Sequence, residues 1–361
     1  MEASQPSERS RILIVSASIG AGHDGVATEL ARRGTELGLT VDRCDFLTLL
    51  PFRIGWLLRV LYRWQLKAAP RSWGWLLSLL EHQRSLHLVS HVFSWLARRR
   101  LRAEIGTDTS LVVSTYPLAS QALGTLRSRQ LIGCRVATFL TDMSVHPLWV
   151  SEGVDLHLSL HEVPARQARS LGAVDVRVVG PAVSPTFRPG CPEERTFARS
   201  VFDLPDTVPL ALVVAGSWGV GDITHAVRDV ATTGLALPIV VCGQNAALHR
   251  SLLALGIISF GWVSDMPTLM RACDVLVQNA GGLTSLEGRA SGLPVVTYRA
   301  LDGHGTTNAS ALEEAGWTWW ARSRDELTAV LTAALALSPV AAPTVWPADG
   351  ALGPPDLVVS A

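Results

Sequence analysis

Short apolar segments alternate with segments of helical periodicity along most of the chain, and this alternation constrains the fold most strongly. A first series of strand patterns covers residues 11–18, 40–46, 111–115, 135–142, 154–160 and 176–180. A second series covers residues 209–216, 239–243, 258–263, 274–279, 294–298 and 317–321. The intervals are long enough for crossover helices, which join parallel strands, and the first of these helices is predicted at residues 25–37. The pattern therefore predicts an α/β protein with two parallel-sheet domains.

A chain of 361 residues is long enough for two domains of ordinary size. We predict one Rossmann-like domain at residues 1–185 and a second at residues 195–337, with a proline cluster as the linker between them. Residues 338–361 are rich in Pro and Ala, so we expect this tail to be poorly ordered.

Composition limits the class of protein. An apolar fraction of 48% and a charged fraction of 17% suit a globular protein with a large core. The sequence has no run of 18 uncharged apolar residues that could span a bilayer, and its polar start lacks the apolar core of a secretory signal. Its five cysteines form no CxxC pair and no metal spacing, so we expect reduced thiols in a cytoplasmic protein.

The net charge of zero hides a basic, tryptophan-rich insert at residues 51–102. This insert has ten basic residues and one acidic residue, so its charge is +9 and that of the remainder is −9. Its tryptophans are Trp56, Trp64, Trp73, Trp75 and Trp95. Leu and Trp at helical spacing between basic residues are typical of helices in a bilayer interface, so we expect an anionic membrane surface as a partner. A helix packed on its own domain or on another protein is the alternative, and nucleic acid is disfavoured because no DNA or RNA module accompanies the charge.

Residues 274–297 predict a nucleotide site. A strand pattern at 274–278 is followed by a glycine turn and a helix pattern at 283–290. The residues that would meet a nucleotide follow in order: Gly281 and Gly282 in the turn, Leu283, Thr284 and Ser285 in the first helical turn, and Glu287 after it. Such a turn lets a phosphate approach the backbone and the positive helix end, and the carboxylate can accept hydrogen bonds from a ribose diol. An ordinary strand-to-helix turn with an exposed glutamate is the alternative.

The glycine loop after the first strand allows two interpretations. Gly20, Gly22 and Gly25 fit G-x-G-x-x-G, and Asp45 ends the next strand, which taken alone favours a dinucleotide dehydrogenase. However, the second domain has its own glycine loop at residues 216–221, so the nucleotide is predicted to bind there. The first loop can then serve an acceptor.

Five segments resemble the MurG and monogalactosyldiacylglycerol synthase branch of the GT-B glycosyltransferases, and the lipid synthases are the closer match. The resemblance extends over roughly residues 11–335, and it rests on residues 18–23, 141–149, 243–245, 261–277 and 280–296. It implies the GT-B fold, in which two Rossmann-like domains face each other across a cleft. It also implies a metal-independent transfer from a UDP-sugar, and the sequence contains no DxD motif.

The resemblance implies a set of functional residues. Trp262 and Val263 would lie beside the uracil and Glu287 would bind the ribose. The other donor-binding candidates are Gly216, Ser217, Gly219, Gly243, Asn245, Met266, Gly281, Gly282, Leu283, Thr284, Ser285, His304 and Asn308. Gly20 and Gly22 would form the acceptor loop, with His23 and Asp142 as candidate bases. We expect no metal site and no cofactor beyond the UDP-sugar substrate.

The chain departs from the lipid synthases at residues 303–305, where Gly-His-Gly replaces their usual Gly-Gln-Glu. The glutamate that helps hold the donor sugar is therefore missing, although His304 could donate one hydrogen bond. A second departure is the final helix pattern, which gives way to the Pro-rich tail.

These observations predict an inverting glycosyltransferase that moves a hexosyl group from a UDP-sugar to a lipid hydroxyl at the cytoplasmic face of the cell membrane. Diacylglycerol is the favoured acceptor. A polyprenyl-linked or natural-product acceptor, and a nucleotide-binding protein without transferase activity, are the alternatives. The dehydrogenase interpretation is weaker.

Overall fold

The computed structural model describes residues 11–68, 83–279 and 281–337, which form two parallel six-stranded sheets with flanking helices. The N-terminal half contains β1 (Arg11–Ser16), α1 (Ala21–Glu36), β2 (Thr40–Asp45), α2 (Phe46–Leu49), α3 (Ile54–Ala68), α4 (Gln83–Glu104), β3 (Thr109–Ser114), α5 (Pro117–Ser128), β4 (Arg135–Leu140), β5 (Leu156–Ser159), α6 (Glu162–Ser170) and β6 (Val176–Val178). The C-terminal half contains α7 (Pro192–Val201), β7 (Leu210–Val214), α8 (Ile223–Thr233), β8 (Leu237–Val241), α9 (Ala246–Ala254), β9 (Ser259–Phe260), α10 (Met266–Ala272), β10 (Val275–Gln278), α11 (Leu283–Ala290), β11 (Val295–Tyr298), α12 (His304–Glu314), β12 (Trp319–Ala321) and α13 (Arg324–Ala336). The predicted α/β class is confirmed.

The first sheet has the order β2-β1-β3-β4-β5-β6 and is covered by helices on both faces. Alternate residues of β1 show this two-sided burial. Ile12 and Ile14 pack into one core cluster, whereas Leu13 and Val15 pack into another. Because both faces are buried, the strand is apolar without a polar alternation, which is why it is recognisable as a continuous apolar run.

The second sheet has the order β12-β11-β10-β7-β8-β9. Its strand order reverses between β7 and β10, which are neighbours in the sheet although three elements of helix and two strands separate them along the chain. Ligands of open parallel sheets bind outside the carboxyl ends of the strands at such a reversal. The loop after β7 and the turn after β10 both lie at this point.

Direct contacts join the two halves around their facing sheet ends. The indole Nε1 of Trp218 donates to the carbonyl of Ile19 at 3.0 Å, and the backbone N–H of Ser144 donates to Asn308 Oδ1 at 2.8 Å. Gly25 allows a close approach as well, because a Cβ there would lie 2.4 Å from Leu283 Cδ2. The two sheets therefore face each other across a cleft, as predicted for the GT-B fold.

Several predicted boundaries were wrong by a few residues. The first helix begins at Ala21 rather than at Gly25, because the glycine loop itself forms its first turn. The predicted linker at 179–194 ends at Cys191, since Pro192 is the first residue of α7 and Glu194 closes a capping box there. The predicted tail at 338–361 lies outside the described residues.

The insert at 51–102 forms α3 and α4, with residues 69–82, and therefore Trp73 and Trp75, outside the described part. Helix α3 packs on α2 and buries Ile54 and Leu58 against the first core. Gly55 makes this crossing possible, because a Cβ there would lie 1.9 Å from the carbonyl oxygen of Leu47.

We predict that Gly55→Ala lowers the free energy of unfolding by about 1–3 kcal/mol, because the added methyl group forces α3 away from the α2 backbone. Urea unfolding of the purified variants measures this. Gly133→Ala is the matched control, since a Cβ at position 133 meets nothing within 4 Å. Equal stabilities of the two variants would contradict the close crossing.

Candidate active site

A cavity of about 420 Å³ lies between the facing carboxyl ends of the two sheets. Loops that follow β1, β4, β7, β10 and β11 form its wall. The predicted site residues among those that line it are Gly20, Gly22, His23, Asp142, Gly216, Ser217, Gly282, Leu283, Thr284, Glu287, His304 and Asn308. Residues predicted for two different substrates are thus brought together at one place.

Three helices begin at this cavity: α1, α11 and α12. Each follows a glycine at its N-cap, respectively Gly20, Gly282 and Gly303, which has no side chain to cap the first turn. The N-cap residues therefore use none of the first N–H groups, although the N–H of Thr306 in α12 donates to the carbonyl of Leu301 at 2.9 Å. Together with the positive ends of the helix dipoles, they form a site suited to an anion such as a diphosphate.

The glycine loop after β7 brings backbone close to the same cavity. Gly216 and Gly221 have φ values of +67° and +100°, which side-chain-bearing residues rarely adopt. A Cβ on Gly221 would also lie 2.3 Å from Asn279 Nδ2. The loop conformation therefore depends on glycine, and Trp218 within it holds the loop to the first domain.

Glu287 lies one turn into α11 and lines the cavity half-buried. Burial raises the pKa of its carboxyl to about 7. Burial is the cause of this shift, and no ion pair within the described residues offsets it. A buried carboxyl that lacks an ion pair is suited to accept hydrogen bonds from a ligand hydroxyl pair.

His23 lies in the first turn of α1, where its Nδ1 is 3.0 Å from Thr141 Oγ1. Its ring packs edge-on against Tyr116 at a centroid distance of 5.4 Å and lies 6.0 Å from the ring of Trp149. Burial lowers the pKa of His23 despite the nearby carboxylate of Asp142. The ring is therefore neutral at neutral pH, and when Nδ1–H donates to Thr141, Nε2 carries the lone pair that a base needs.

Asp142 faces His304 across the cavity, with 3.5 Å between Asp142 Oδ1 and His304 Nε2. Burial alone would raise the pKa of Asp142, but His304, followed by His23 and His146, lowers it to about 2. Burial acts to lower the pKa of His304, and the carboxylate of Asp142 raises it overall. Burial also lowers the pKa of His146 to about 3. The site thus combines one ionised carboxylate with histidines whose pKa values are shifted in opposite directions.

Eight predicted donor-binding residues do not line the cavity: Gly219, Gly243, Asn245, Trp262, Val263, Met266, Gly281 and Ser285. Asn245 has a structural explanation, because its amide donates to the carbonyl of Gly219 at 2.7 Å and its Oδ1 caps α9. Gly243 packs against the 216–217 backbone. Val263 and Met266 pack on the core, and the side chain of Trp262 is 58% exposed. Their roles beside the nucleotide base stay predictions.

Two further donor-loop residues lie just behind the cavity wall. The N–H of Gly281 donates to Gln278 Oε1, which fixes the turn that precedes α11. Ser285 is fully buried, and its hydroxyl has no hydrogen-bond partner among the described residues. Gly281 and Ser285 thus support the turn and do not line the cavity.

Sequence reasoning missed several lining residues, among them Thr141, Gln278 and Asp302. Thr141 directly precedes Asp142, and its role as the partner of His23 depends on a contact between distant segments. Asp302 lies one residue before the glycine that opens α12, a position that could have signalled it. Trp218 was seen only as part of the loop.

The dehydrogenase interpretation meets a structural obstacle at Asp45. Its carboxylate caps α2 by accepting from the N–H of Leu47 at 2.9 Å, and it also accepts from the hydroxyl of Ser18. Arg59 of α3 lies 3.5 Å from the same carboxylate and also contacts Ser18. Asp45, which would bind the ribose in that interpretation, thus already contacts Leu47, Ser18 and Arg59.

The chain is similar in sequence to known proteins. The family described as monogalactosyldiacylglycerol (MGDG) synthase matches residues 23–183. The processive diacylglycerol beta-glucosyltransferase of Bacillus subtilis (strain 168) is 24% identical over 353 residues, which are 90% of this chain and 87% of the relative.

Solved structures agree on the architecture. Acinetobacter baumannii MurG has a TM-score of 0.54 at 16% identity, with 91% of this chain and 95% of that chain covered. Medicago truncatula UGT71G1, solved with UDP-glucose, has a TM-score of 0.56 at 13% identity, with 92% and 91% covered. The GT-B fold, and the resemblance to the MGDG synthase and MurG type of glycosyltransferase, are confirmed.

No described helix is both long and apolar enough to cross a bilayer. Likewise, within the described ranges no three side chains of His, Cys, Asp or Glu are grouped in a way that could hold a metal ion.

We predict that Glu287→Ala weakens UDP binding about tenfold to a hundredfold, because a ribose diol would lose a charge-assisted acceptor worth about 1.5–3 kcal/mol. Calorimetric titration with UDP measures this. Glu287→Gln is the matched control, since its amide oxygen still accepts, and it should lose less affinity than Glu287→Ala. Unchanged affinity in a folded Glu287→Ala variant would remove Glu287 from the site.

Proposed function

We propose that this GT-B glycosyltransferase of the MGDG synthase type transfers a hexosyl group from a UDP-sugar to a lipid hydroxyl, with inversion at the anomeric carbon. One observation carries the proposal: three uncapped helix N-termini and a neutral histidine converge on a single cavity. The first feature suits a diphosphate and the second suits the deprotonation of an acceptor.

The C-terminal half holds the donor. The turn before α11 and the glycine loop after β7 receive the diphosphate, and Glu287 accepts hydrogen bonds from the ribose. Trp262 and Val263 lie further along this half and would meet the uracil. The relative solved with UDP-glucose supports this class of donor. The UDP-sugar is a substrate, and the proposal assigns no cofactor.

The N-terminal half presents the acceptor to His23. The acceptor hydroxyl oxygen attacks the anomeric carbon while its proton passes to His23 Nε2. The bond from that carbon to the β-phosphate oxygen breaks, and the electron pair leaves with UDP. The N–H groups at the starts of α1, α11 and α12 stabilise the negative charge that develops on the departing diphosphate.

A lipid acceptor is supported by the relatives and by the insert. The Bacillus subtilis relative carries diacylglycerol in its name, so diacylglycerol is the favoured acceptor. The exposed surface of the insert, which we call the insert surface, consists of aromatic, aliphatic and basic side chains. Its members include Phe52, Arg53, Trp56, Leu57, Leu61, Trp64, Leu88, Trp95 and Arg98.

The insert surface fits an anionic membrane. The guanidinium of Arg53 lies 5.3 Å from the ring centre of Trp56, and that of Arg98 lies 5.9 Å from the ring centre of Trp95. Such pairs place a ring in the acyl boundary and a cation at the headgroup level. Peripheral binding at the cytoplasmic face of the cell membrane follows from a cytoplasmic donor and an anionic surface.

A second candidate function is a nucleotide-binding protein without transferase activity, which the Gly305 position favours. A Cβ there would lie 2.8 Å from Leu301 Cβ, so a glutamate cannot be restored without moving this backbone. A screen of UDP-hexoses against diacylglycerol, a polyprenyl phosphate and hydroxylated natural products, with mass analysis of the product, separates the candidates. UDP binding without any glycosylated product would favour the second candidate.

We predict that His23→Ala lowers turnover about 10²- to 10⁴-fold while UDP affinity changes little, because the base acts on the acceptor and the nucleotide lies on the other half. Steady-state rates and calorimetric UDP titration measure the two effects. His225→Ala is the matched control, because His225 is exposed on α8 and does not line the cavity. A loss of UDP affinity as large as the loss of rate would contradict the assignment.

We predict that replacing Trp56, Trp64 and Trp95 by Ser reduces binding to anionic vesicles and transfer to lipid, and leaves UDP binding intact. These rings are 55–63% exposed, so their removal costs little stability. Vesicle sedimentation at low and high salt measures binding, since the charge contribution is screened within about 10 Å at 0.1 M. Phe197→Ser is the control, an aromatic that is 66% exposed on α7 of the other half. Sedimentation at the original level would show that the insert surface serves another partner.

A further inference from the structure

A chain of polar contacts crosses the cavity between the loop after β4 and the start of α12. Asp142 Oδ1 lies 3.5 Å from His304 Nε2, and Asn308 Nδ2 lies 3.0 Å from the same nitrogen. Asn308 Oδ1 accepts from the N–H of Ser144 at 2.8 Å, which fixes the orientation of the amide. His304 Nε2 therefore has two competing partners.

These two partners favour opposite states of the ring. A carboxylate at Asp142 stabilises a protonated Nε2, whereas the amide N–H of Asn308 is satisfied by an Nε2 lone pair. Asp142 carries a full charge and Asn308 a dipole, so the charged form of His304 is favoured in a buried place of low dielectric. A diphosphate at the start of α12 would favour the charged form further.

Four other titratable groups lie near His304 in the described part of the chain. His23 approaches from α1, and the ring of His146 lies 6.3 Å from that of His304 between centroids. Both of these histidines oppose a second positive charge, and both are neutral at neutral pH because burial lowers their pKa values. Glu287 and Asp302 line the same cavity and add negative charge when ionised.

We propose that Asp142 is a positioning residue rather than the base: it outweighs Asn308 and keeps a proton on His304, and the resulting imidazolium contacts the donor diphosphate at the start of α12. This assignment rests on the proposed function, because it takes a UDP-sugar as the ligand. It also gives the histidine that replaces the usual glutamine of the lipid synthases a chemical role of its own.

The pH dependence has a definite sign. The carboxylate of Asp142 raises the pKa of His304, so the ring stays charged to a higher pH than an ordinary imidazole, and the charge is lost as the pH rises through the raised value. In Asp142→Asn, burial acts without the carboxylate, so the pKa of His304 falls and the ring is neutral at pH 8. The contact with the diphosphate should then be recovered only when the pH is lowered.

Calorimetric titration with UDP from pH 5.5 to 8.5 tests this without lipid. In the pH range between the lowered pKa of His304 in the variant and its raised pKa in the parent protein, Asp142→Asn should bind UDP about tenfold more weakly than the parent, the loss expected for one charge-assisted hydrogen bond. The ratio of the two affinities should shrink towards one, or invert, at pH 5.5. Because both proteins contain Glu287 and the same UDP, the ratio cancels their titrations. Asp142→Glu should remain near the parent at every pH.

His304→Asn keeps the inference falsifiable if Asp142→Asn folds poorly, because it removes the proposed imidazolium and should bind UDP about tenfold more weakly than the parent at pH 5.5. Where Asp142→Asn folds, adding it to His304→Asn should have no additional effect on UDP affinity at any pH. Asp175→Asn is the matched control, since Asp175 pairs with Arg177 at 3.0 Å on the exposed surface and its φ of +43° suits Asn.

The outcomes are distinguishable. An affinity ratio that is constant with pH would show a packing role for Asp142 and overturn the inference. Unchanged UDP affinity with a loss of lipid glycosylation at every pH would also overturn it, because that is the behaviour of a base. The predicted pH pattern in UDP binding without transfer to any lipid would support the role of Asp142 and contradict the proposed function.

Discussion

The organisation of the molecule depends on one requirement, which is that backbone N–H groups stabilise the negative charge of a diphosphate. Helix starts at Gly20, Gly282 and Gly303 can converge only if two parallel sheets point their carboxyl ends at each other, since helices of such sheets begin at those ends. Side-chain caps at these positions would use the N–H groups that an anion needs. The glycines therefore serve the ligand at the cost of local helix stability.

Only a few side chains are needed in this arrangement in addition to the backbone N–H groups. Glu287 lies half-buried and ready to accept hydrogen bonds, and His23 is kept neutral by burial. Asp142 Oδ1 and His304 Nε2 lie 3.5 Å apart across the cavity. Differences in pKa between neighbouring groups, rather than the number of groups, distinguish the roles of these side chains.

Much of the fold and part of the site could be predicted from the sequence. The bounds of α11 were predicted correctly because a glycine turn and an apolar strand define them locally. The pairing of Asp142 with His304 could not be predicted, because it depends on two loops that meet only when the halves face each other. The bond from the amide of Asn245 to the carbonyl of Gly219 could not be predicted either, because Gly219 approaches from another loop. Sequence patterns specify helices and strands, whereas contacts between loops determine which polar atoms are left to bind a ligand.

The contact between Arg59 and Ser18 joins the insert to the loop that leads to His23. Helix α3, which carries Trp56 and Trp64 on its exposed side, is thereby connected to His23 through a path of a few residues. When α3 lies in a bilayer interface, the height of His23 above the acyl chains is set by this short path. In that state, a change in the position of α3 would be transmitted to the loop of His23 through the contact between Arg59 and Ser18.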